Sequence, residues 1–74
     1  MKVTIKLFAT FRTGRFGEET RDYNPGITVG DILTELNLPS EEIGATLINH
    51  RHVEEDQQLQ EDDILSIFPL VGGG

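Results

Sequence analysis

Residues 28–39 run Thr28-Val29-Gly30-Asp31-Ile32-Leu33-Thr34-Glu35-Leu36-Asn37-Leu38-Pro39, and they spell one short amphipathic helix. Val29, Ile32, Leu33 and Leu36 recur at i, i+3, i+4 and i+7, which lines up a single apolar stripe. Thr28 is a good N-cap, and Asp31, three residues on, sits near the positive end of the helix dipole. Pro39 stops the helix by about Asn37. A helix with one apolar stripe must bury it against another layer, so the flanking segments have to supply that layer.

Upstream, residues 2–8 alternate: Val3, Ile5 and Leu7 point one way, and Lys2, Thr4, Lys6 and Phe8 the other. That is the pattern of a half-buried strand. Gly14 and Gly17, with Thr13 and Arg15, read as a connecting loop, without the Gly-Lys-Ser/Thr ending of a phosphate-binding loop. Residues 18–23 suit a second, more polar strand at an edge, closed by the turn Asn24-Pro25-Gly26. Downstream, residues 45–48 read as a third strand, and Asn49-His50-Arg51 turns into a short His52-Val53 segment. Glu61-Asp62-Asp63 is turn chemistry before a final strand from Ile64 to Phe68. The order strand, strand, helix, strand, short strand, strand predicts an α+β domain, with a mixed sheet of four to five strands and one main helix on one face. The first and last strands are the most apolar and belong together in the centre.

Composition narrows the function. The 74 residues suffice for one domain, 36% are hydrophobic, and no run of 18 apolar residues is present to make a spanning helix. Lys2-Val3-Thr4-Ile5-Lys6 alternates, unlike the apolar core of a signal peptide, and a cytoplasmic location follows by default. With no Cys the chain has no disulfide, zinc-thiolate site, iron–sulfur cluster or thiol nucleophile. The net charge of −7 repels nucleic acid and anionic membrane, so neither is an expected partner. Five of the six basic residues lie in the first 21 positions, whereas 10 acids follow from Asp31 onward. They form either a solvated surface or a docking face for basic protein, and the two are compatible. His50, His52 and Glu54 have a ligand-like i, i+2, i+4 spacing, but the turn at Asn49-His50 breaks it, so no metal site is expected. Glu54-Glu55-Asp56 and Glu61-Asp62-Asp63 pair carboxylates in sequence only, with no pocket indicated for acid–base work.

The chain ends Phe68-Pro69-Leu70-Val71-Gly72-Gly73-Gly74. Three glycines after the last strand are either a frayed remnant or a thin arm built for a purpose. Several features favour the arm. Pro69 donates no ladder hydrogen bond and is expected to end strand pairing. Glycines lack Cβ and take backbone angles closed to other residues. A free carboxylate at Gly74 would be the reactive group of an arm narrow enough to thread a tunnel in a partner enzyme. The expected division is a folded body over residues 1–71 and a flexible glycine tail over 72–74.

Lys6-Leu7-Phe8-Ala9-Thr10-Phe11-Arg12, the helix start Thr28-Val29-Gly30-Asp31, and the ending Asp62-Asp63-Ile64-Leu65-Ser66-Ile67-Phe68-Pro69-Leu70-Val71-Gly72-Gly73-Gly74 resemble the ubiquitin-like sulfur carriers of the MoaD/ThiS type. The chain is most similar to the small subunit of molybdopterin synthase, over its whole length and in the same order. That family commonly ends Phe-Pro-Pro-Val-x-Gly-Gly; here Leu70 stands at the second Pro and Gly72 at the variable position. Asn49-His50 stands where relatives often carry Asn-Gly, and His tolerates a left-handed backbone better than most residues.

The resemblance implies a ubiquitin-like β-grasp fold and a carrier that is not itself an enzyme and binds no cofactor. An E1-like enzyme would use ATP to adenylate Gly74, and sulfur would then replace AMP to leave a thiocarboxylate. The molybdopterin synthase large subunit, or another acceptor enzyme, would use that sulfur. Phe8 and Phe68, on the outward faces of the two central strands, are the candidate docking residues, with Leu47 a third member. Pro69, Leu70 and Val71 lead into the tail, and Lys6 and Arg12 supply polar contacts nearby. Two rivals stand beside this reading. One is a carrier serving thiamin thiazole or cysteine synthesis, or conjugated to lysines; the other is a β-grasp binding module without sulfur chemistry. A ferredoxin-type β-grasp is excluded by the absence of Cys.

Overall fold

The computed structural model describes residues 1–70; the tail residues Val71, Gly72, Gly73 and Gly74 lie outside the described residues. Five strands form one sheet: β1 (Lys2–Leu7), β2 (Glu18–Asp22), β3 (Ile43–Ile48), β4 (Arg51–His52) and β5 (Ile64–Pro69), in the order β2-β1-β5-β3-β4. β1 and β5 are parallel neighbours, with Thr4 opposite Ile64 and Leu7 opposite Ile67. The other pairings are antiparallel, so the sheet is mixed and the two apolar strands lie inside it as expected. One helix, α1 (Val29–Glu35), covers one face, which is the β-grasp architecture that the sequence resembles.

The helix ends where its side chains dictate. Thr28 Oγ1 accepts from the Asp31 amide at 3.1 Å, and Asp31 Oδ2 accepts from the Thr28 amide at 3.1 Å, a complete capping box. At the other end Asn37 turns left-handed at φ 58°, and the Leu38 amide donates to Leu33 O at 2.9 Å. Arg15, expected only as a loop residue, donates to Leu36 O at 3.2 Å and Asn37 O at 3.4 Å and so satisfies the carbonyls of that turn.

Val3, Ile5 and Leu7 of β1 and Leu65 and Ile67 of β5 are fully buried against Val29, Ile32 and Leu33 of α1. Phe11, Leu38 and Leu59 complete the core from outside the regular elements. Thr46 is buried, and its hydroxyl donates to Val53 O at 2.8 Å, so no buried side-chain polar atom is left without a partner among the described residues.

Three expectations are corrected. β1 stops at Leu7, because Ala9 turns left-handed at φ 52° to open a 3-10 turn over Ala9–Arg12 that drives Phe11 into the core. β4 comprises Arg51–His52 rather than His52-Val53, since the Asn49-His50 turn has both residues left-handed, at φ 49° and 73°, and pairs Ile48 directly with Arg51. The turn thus forms with His in place of Gly. The last strand runs one residue further than Phe68, ending at Pro69, which is itself paired. Ile43 opposes Pro69 across a register shift between Ile43 and Ala45, and the Leu70 amide still donates to Glu42 O at 2.9 Å. The bulge takes up the step at which proline has no hydrogen to give.

Edge strand β2 is tied to α1 by a polar cluster. Glu35 Oε1 accepts from Tyr23 Oη at 2.6 Å and from Arg21 Nη1 at 2.9 Å, while Arg21 Nε donates to Glu19 Oε2 at 2.9 Å. Burial, reinforced by the hydrogen bond to Glu35, pushes the Tyr23 phenol up to about 12 from its ordinary 10.0. A raised folded-state value means that this site's stabilisation is complete below about pH 10 and is lost as the pH climbs from there toward 12. Tyr23 is the only tyrosine and there is no tryptophan, so tyrosinate absorbance reports this one group. The native protein is expected to titrate near 12 and the denatured chain near 10; Glu35→Gln should lower the native midpoint.

Candidate functional site

The face of the sheet turned away from α1 carries the candidate site. Thr4 and Lys6 of β1, Ile64, Ser66 and Phe68 of β5, and Ala45 and Leu47 of β3 share it by alternation. Parallel register puts Lys6 beside Ser66 and Leu7 beside Ile67, and continuing one step past that last pair brings Phe8 beside Phe68. Phe8 follows β1 in extended conformation, φ −124° and ψ 154°, which keeps its ring on this face. The two rings stack with centroids 4.1 Å apart and planes inclined by 10°, and both are half-buried. The pair expected from the sequence is therefore assembled.

The third member is placed differently. Ala45, not Leu47, lies directly opposite Phe68; Leu47 opposes Ser66 and is a diagonal neighbour, half-buried on the same face. Alternation gives the face that Leu47 occupies but not its partner; the unbroken ladder from Ile48–Leu65 to Ala45–Phe68 sets that register, and the bulge lies beyond it. Lys6 reaches Glu18 of β2 at 3.9 Å. The Arg12 guanidinium lies against Gly17, where an added Cβ would sit 2.5 Å from Arg12 Nη2. Pro69 is half-buried at the end of β5, and Leu70, 59% exposed, is the most exposed large apolar residue among those described.

No catalytic constellation accompanies this patch. His50 occupies the β3–β4 turn and His52 lies on β4 opposite Leu47; among the described residues no group of three His or acidic side chains is arranged to hold a metal. A groove along the outer edge of β3, lined by Ser40, Gly44, Thr46, Val53 and Glu55, is open and largely polar. The short helix offers its first amides to no ligand either: Val29 N donates to Gln57 O at 3.0 Å and Gly30 N to Glu55 O at 2.8 Å.

Charge is divided across the sheet. The ion pairs among the described residues, Lys2–Asp22, Lys6–Glu18, Arg21–Glu19 and Arg21–Glu35, all lie on the β1–β2–α1 side. These exposed pairs add little stability but offset local charge. Glu41, Glu42, Glu54 and Asp56, around β3 and β4, are exposed and outside every one of those pairs. Negative potential is thus concentrated on the half of the molecule from which Leu70 leads away. No helix among the described residues is long and apolar enough to cross a membrane.

Known proteins share this fold. The small archaeal modifier SAMP1 of Haloferax volcanii is 27% identical, with 100% of both chains covered and a TM-score of 0.77. The Pyrococcus furiosus protein assigned as molybdopterin converting factor, subunit 1, is 29% identical over 96% of this chain and 99% of its own, at a TM-score of 0.78. The complex of subunits 1 and 2 of molybdopterin-converting factor from Helicobacter pylori, 22% identical with 100% of both chains covered and a TM-score of 0.69, shares the fold. No curated protein sequence matches significantly. The family model described as the ThiS family matches residues 5–74, the glycine ending included. The chain belongs to the ThiS family of ubiquitin-like sulfur carriers.

Proposed function

We propose that this protein is a sulfur carrier whose Gly74 carboxylate is activated by an E1-like enzyme and converted to a thiocarboxylate for molybdopterin synthesis. The observation that carries the reading is the stacked Phe8–Phe68 pair, at the end of the strand from which the glycine arm continues. An apolar anchor beside a thin, side-chain-free terminus lets a partner grip the body and receive the arm at once. Likeness to the Pyrococcus furiosus converting-factor subunit supports the molybdopterin assignment, and the two-subunit Helicobacter pylori assembly illustrates the kind of large-subunit partner proposed.

In the proposed chemistry a carboxylate oxygen of Gly74 attacks the α-phosphate of ATP and pyrophosphate leaves, giving an acyl adenylate. Sulfide then attacks the acyl carbon and AMP departs, leaving the thiocarboxylate. A persulfide donor would give an acyl disulfide that a thiol must reduce. This chain supplies the carboxylate and the docking face; catalytic side chains belong to its partners, and no cofactor of its own takes part. The Haloferax volcanii modifier supports a second reading, conjugation of the same activated terminus to lysines. Both readings need adenylation, and they part at the next step: sulfur delivered to an acceptor, or an amide bond to another protein.

The full chain, incubated with an E1-like enzyme, ATP and a sulfur source, should gain the mass of one sulfur-for-oxygen exchange, whereas an unchanged mass supports a binding module. Deleting Gly74 withdraws the carboxylate by about 3.3–3.6 Å. It should abolish adenylation and thiocarboxylate formation while leaving the thermal melt unchanged. Thiocarboxylate at wild-type levels in the truncated chain would contradict the mechanism.

Phe68→Ala should weaken binding to the activating enzyme and to the acceptor subunit alike, by about 1–3 kcal/mol for an interface anchor. Calorimetric titration with each partner, beside a melt to check the fold, tests the shared face. Normal binding of a folded variant to either partner would show that the two use different surfaces.

A further inference from the structure

Gly44 lies in β3, exposed to solvent, and its backbone is not left-handed, so its conformation does not require glycine. Its space does. A Cβ built at Gly44 would stand 2.5 Å from Pro69 O, 2.9 Å from Pro69 C and 3.1 Å from Leu70 Cα. All three atoms are backbone, with no side chain free to swing aside. The contrast with other glycines is plain: at Gly17 the obstructing atoms belong to the flexible Arg12 side chain, and at Gly30 the nearest backbone atom is 3.3 Å away. Gly44 itself brings no side chain to the core, although its neighbour Ile43 packs against the buried cluster.

Three contacts converge on the same short segment. Ile43 opposes Pro69 across the bulge, Gly44 admits the Pro69–Leu70 backbone, and Glu42 O accepts from the Leu70 amide at 2.9 Å. Residues 42–44 therefore form a clamp on the last described turn of chain before the glycines.

We propose that Gly44 is a positioning residue for the carboxyl-terminal arm: its missing side chain lets β3 hold Pro69 and Leu70 at the point and direction from which the arm departs. This rests on the carrier reading above. Residues 71–74 can extend by only about 13–14 Å from the clamp, so an error at the root is carried to the carboxylate. Bringing a 2.5 Å approach out to ordinary contact requires the segment to shift by about 1 Å. Misplacement of that size can cost about 100-fold in rate for a group that must reach a fixed active site. The Phe8–Phe68 stack makes no use of Gly44, Pro69 or Leu70, so docking through it is expected to persist in a Gly44 variant.

The test uses the full chain and Gly44→Ala. Amide hydrogen exchange comes first and needs no partner. In the wild type the Leu70 amide should exchange more slowly than a free chain; in Gly44→Ala its protection should be lost while the Leu65 and Ile67 amides keep theirs. Steady-state adenylation by an E1-like enzyme comes second: kcat should fall about 10–100-fold with KM for the carrier unchanged. Free-chain exchange of Leu70 in the wild type would overturn the clamp itself. Wild-type kcat in the variant, a raised KM with kcat unchanged, or a variant that does not fold would each overturn the positioning role. Failure of the wild type to be adenylated at all would instead remove the carrier reading, with the exchange result still judging the clamp.

Discussion

The parallel pairing of β1 with β5 is the constraint on which the rest of the structure depends. Two parallel strands cannot be joined by a tight turn; the chain must leave the sheet, cross a face and return. The crossover here contains α1, whose apolar stripe then has both central strands beneath it. Parallel strands also end at the same side. Phe8 at the end of β1 and Phe68 near the end of β5 are therefore brought together although 60 positions separate them in the sequence, and Leu70, the last described residue, follows at that same end. The core, the stacked aromatic pair and the last described residues are set in one geometry by one choice of strand direction.

The thin core makes local polar contacts count. Among the described residues thirteen hydrophobic side chains form the buried cluster, so the helix cannot rely on burial alone over its seven residues. The capping box at Thr28–Asp31, the left-handed exit at Asn37 and the Arg15 donations satisfy its ends. A turn on the far side is held by one side chain: Asn49 Oδ1 accepts from Ile64 N at 2.9 Å while Asn49 Nδ2 donates to Asp63 Oδ1 at 2.9 Å. These ties join the β3–β4 turn to the start of β5, and so bear on where β5 begins.

The distribution of charge and apolar surface suits a protein that is handled rather than one that acts. The half around β1 and β2 pairs its charges internally, and the half around β3 and β4 leaves its acids outside those pairs. A basic partner would be drawn to the second half, next to the clamp on Leu70, before the aromatic pair is engaged.

The sequence by itself determined what is local. The apolar stripe and cap of α1, the alternation of β1, the polar edge character of β2 and the left-handed demand at Asn49-His50 are all written in residues a few positions apart. It also carried the family, because the glycine ending and the motifs flanking it are contiguous. The Phe8–Phe68 pair was legible only through the inference that the two most apolar strands are neighbours. What tertiary structure alone decided was register and close approach. Ala45 rather than Leu47 faces Phe68 because of how β3 and β5 are registered; Phe11, Leu38 and Leu59 enter the core from outside the sheet and α1; Arg15 finds a helix end more than 20 residues away. Gly44 looks like any strand glycine until Pro69 and Leu70 are laid against it. Periodicity records which way a side chain points, whereas the distance between two backbones distant in sequence exists only after the chain has folded.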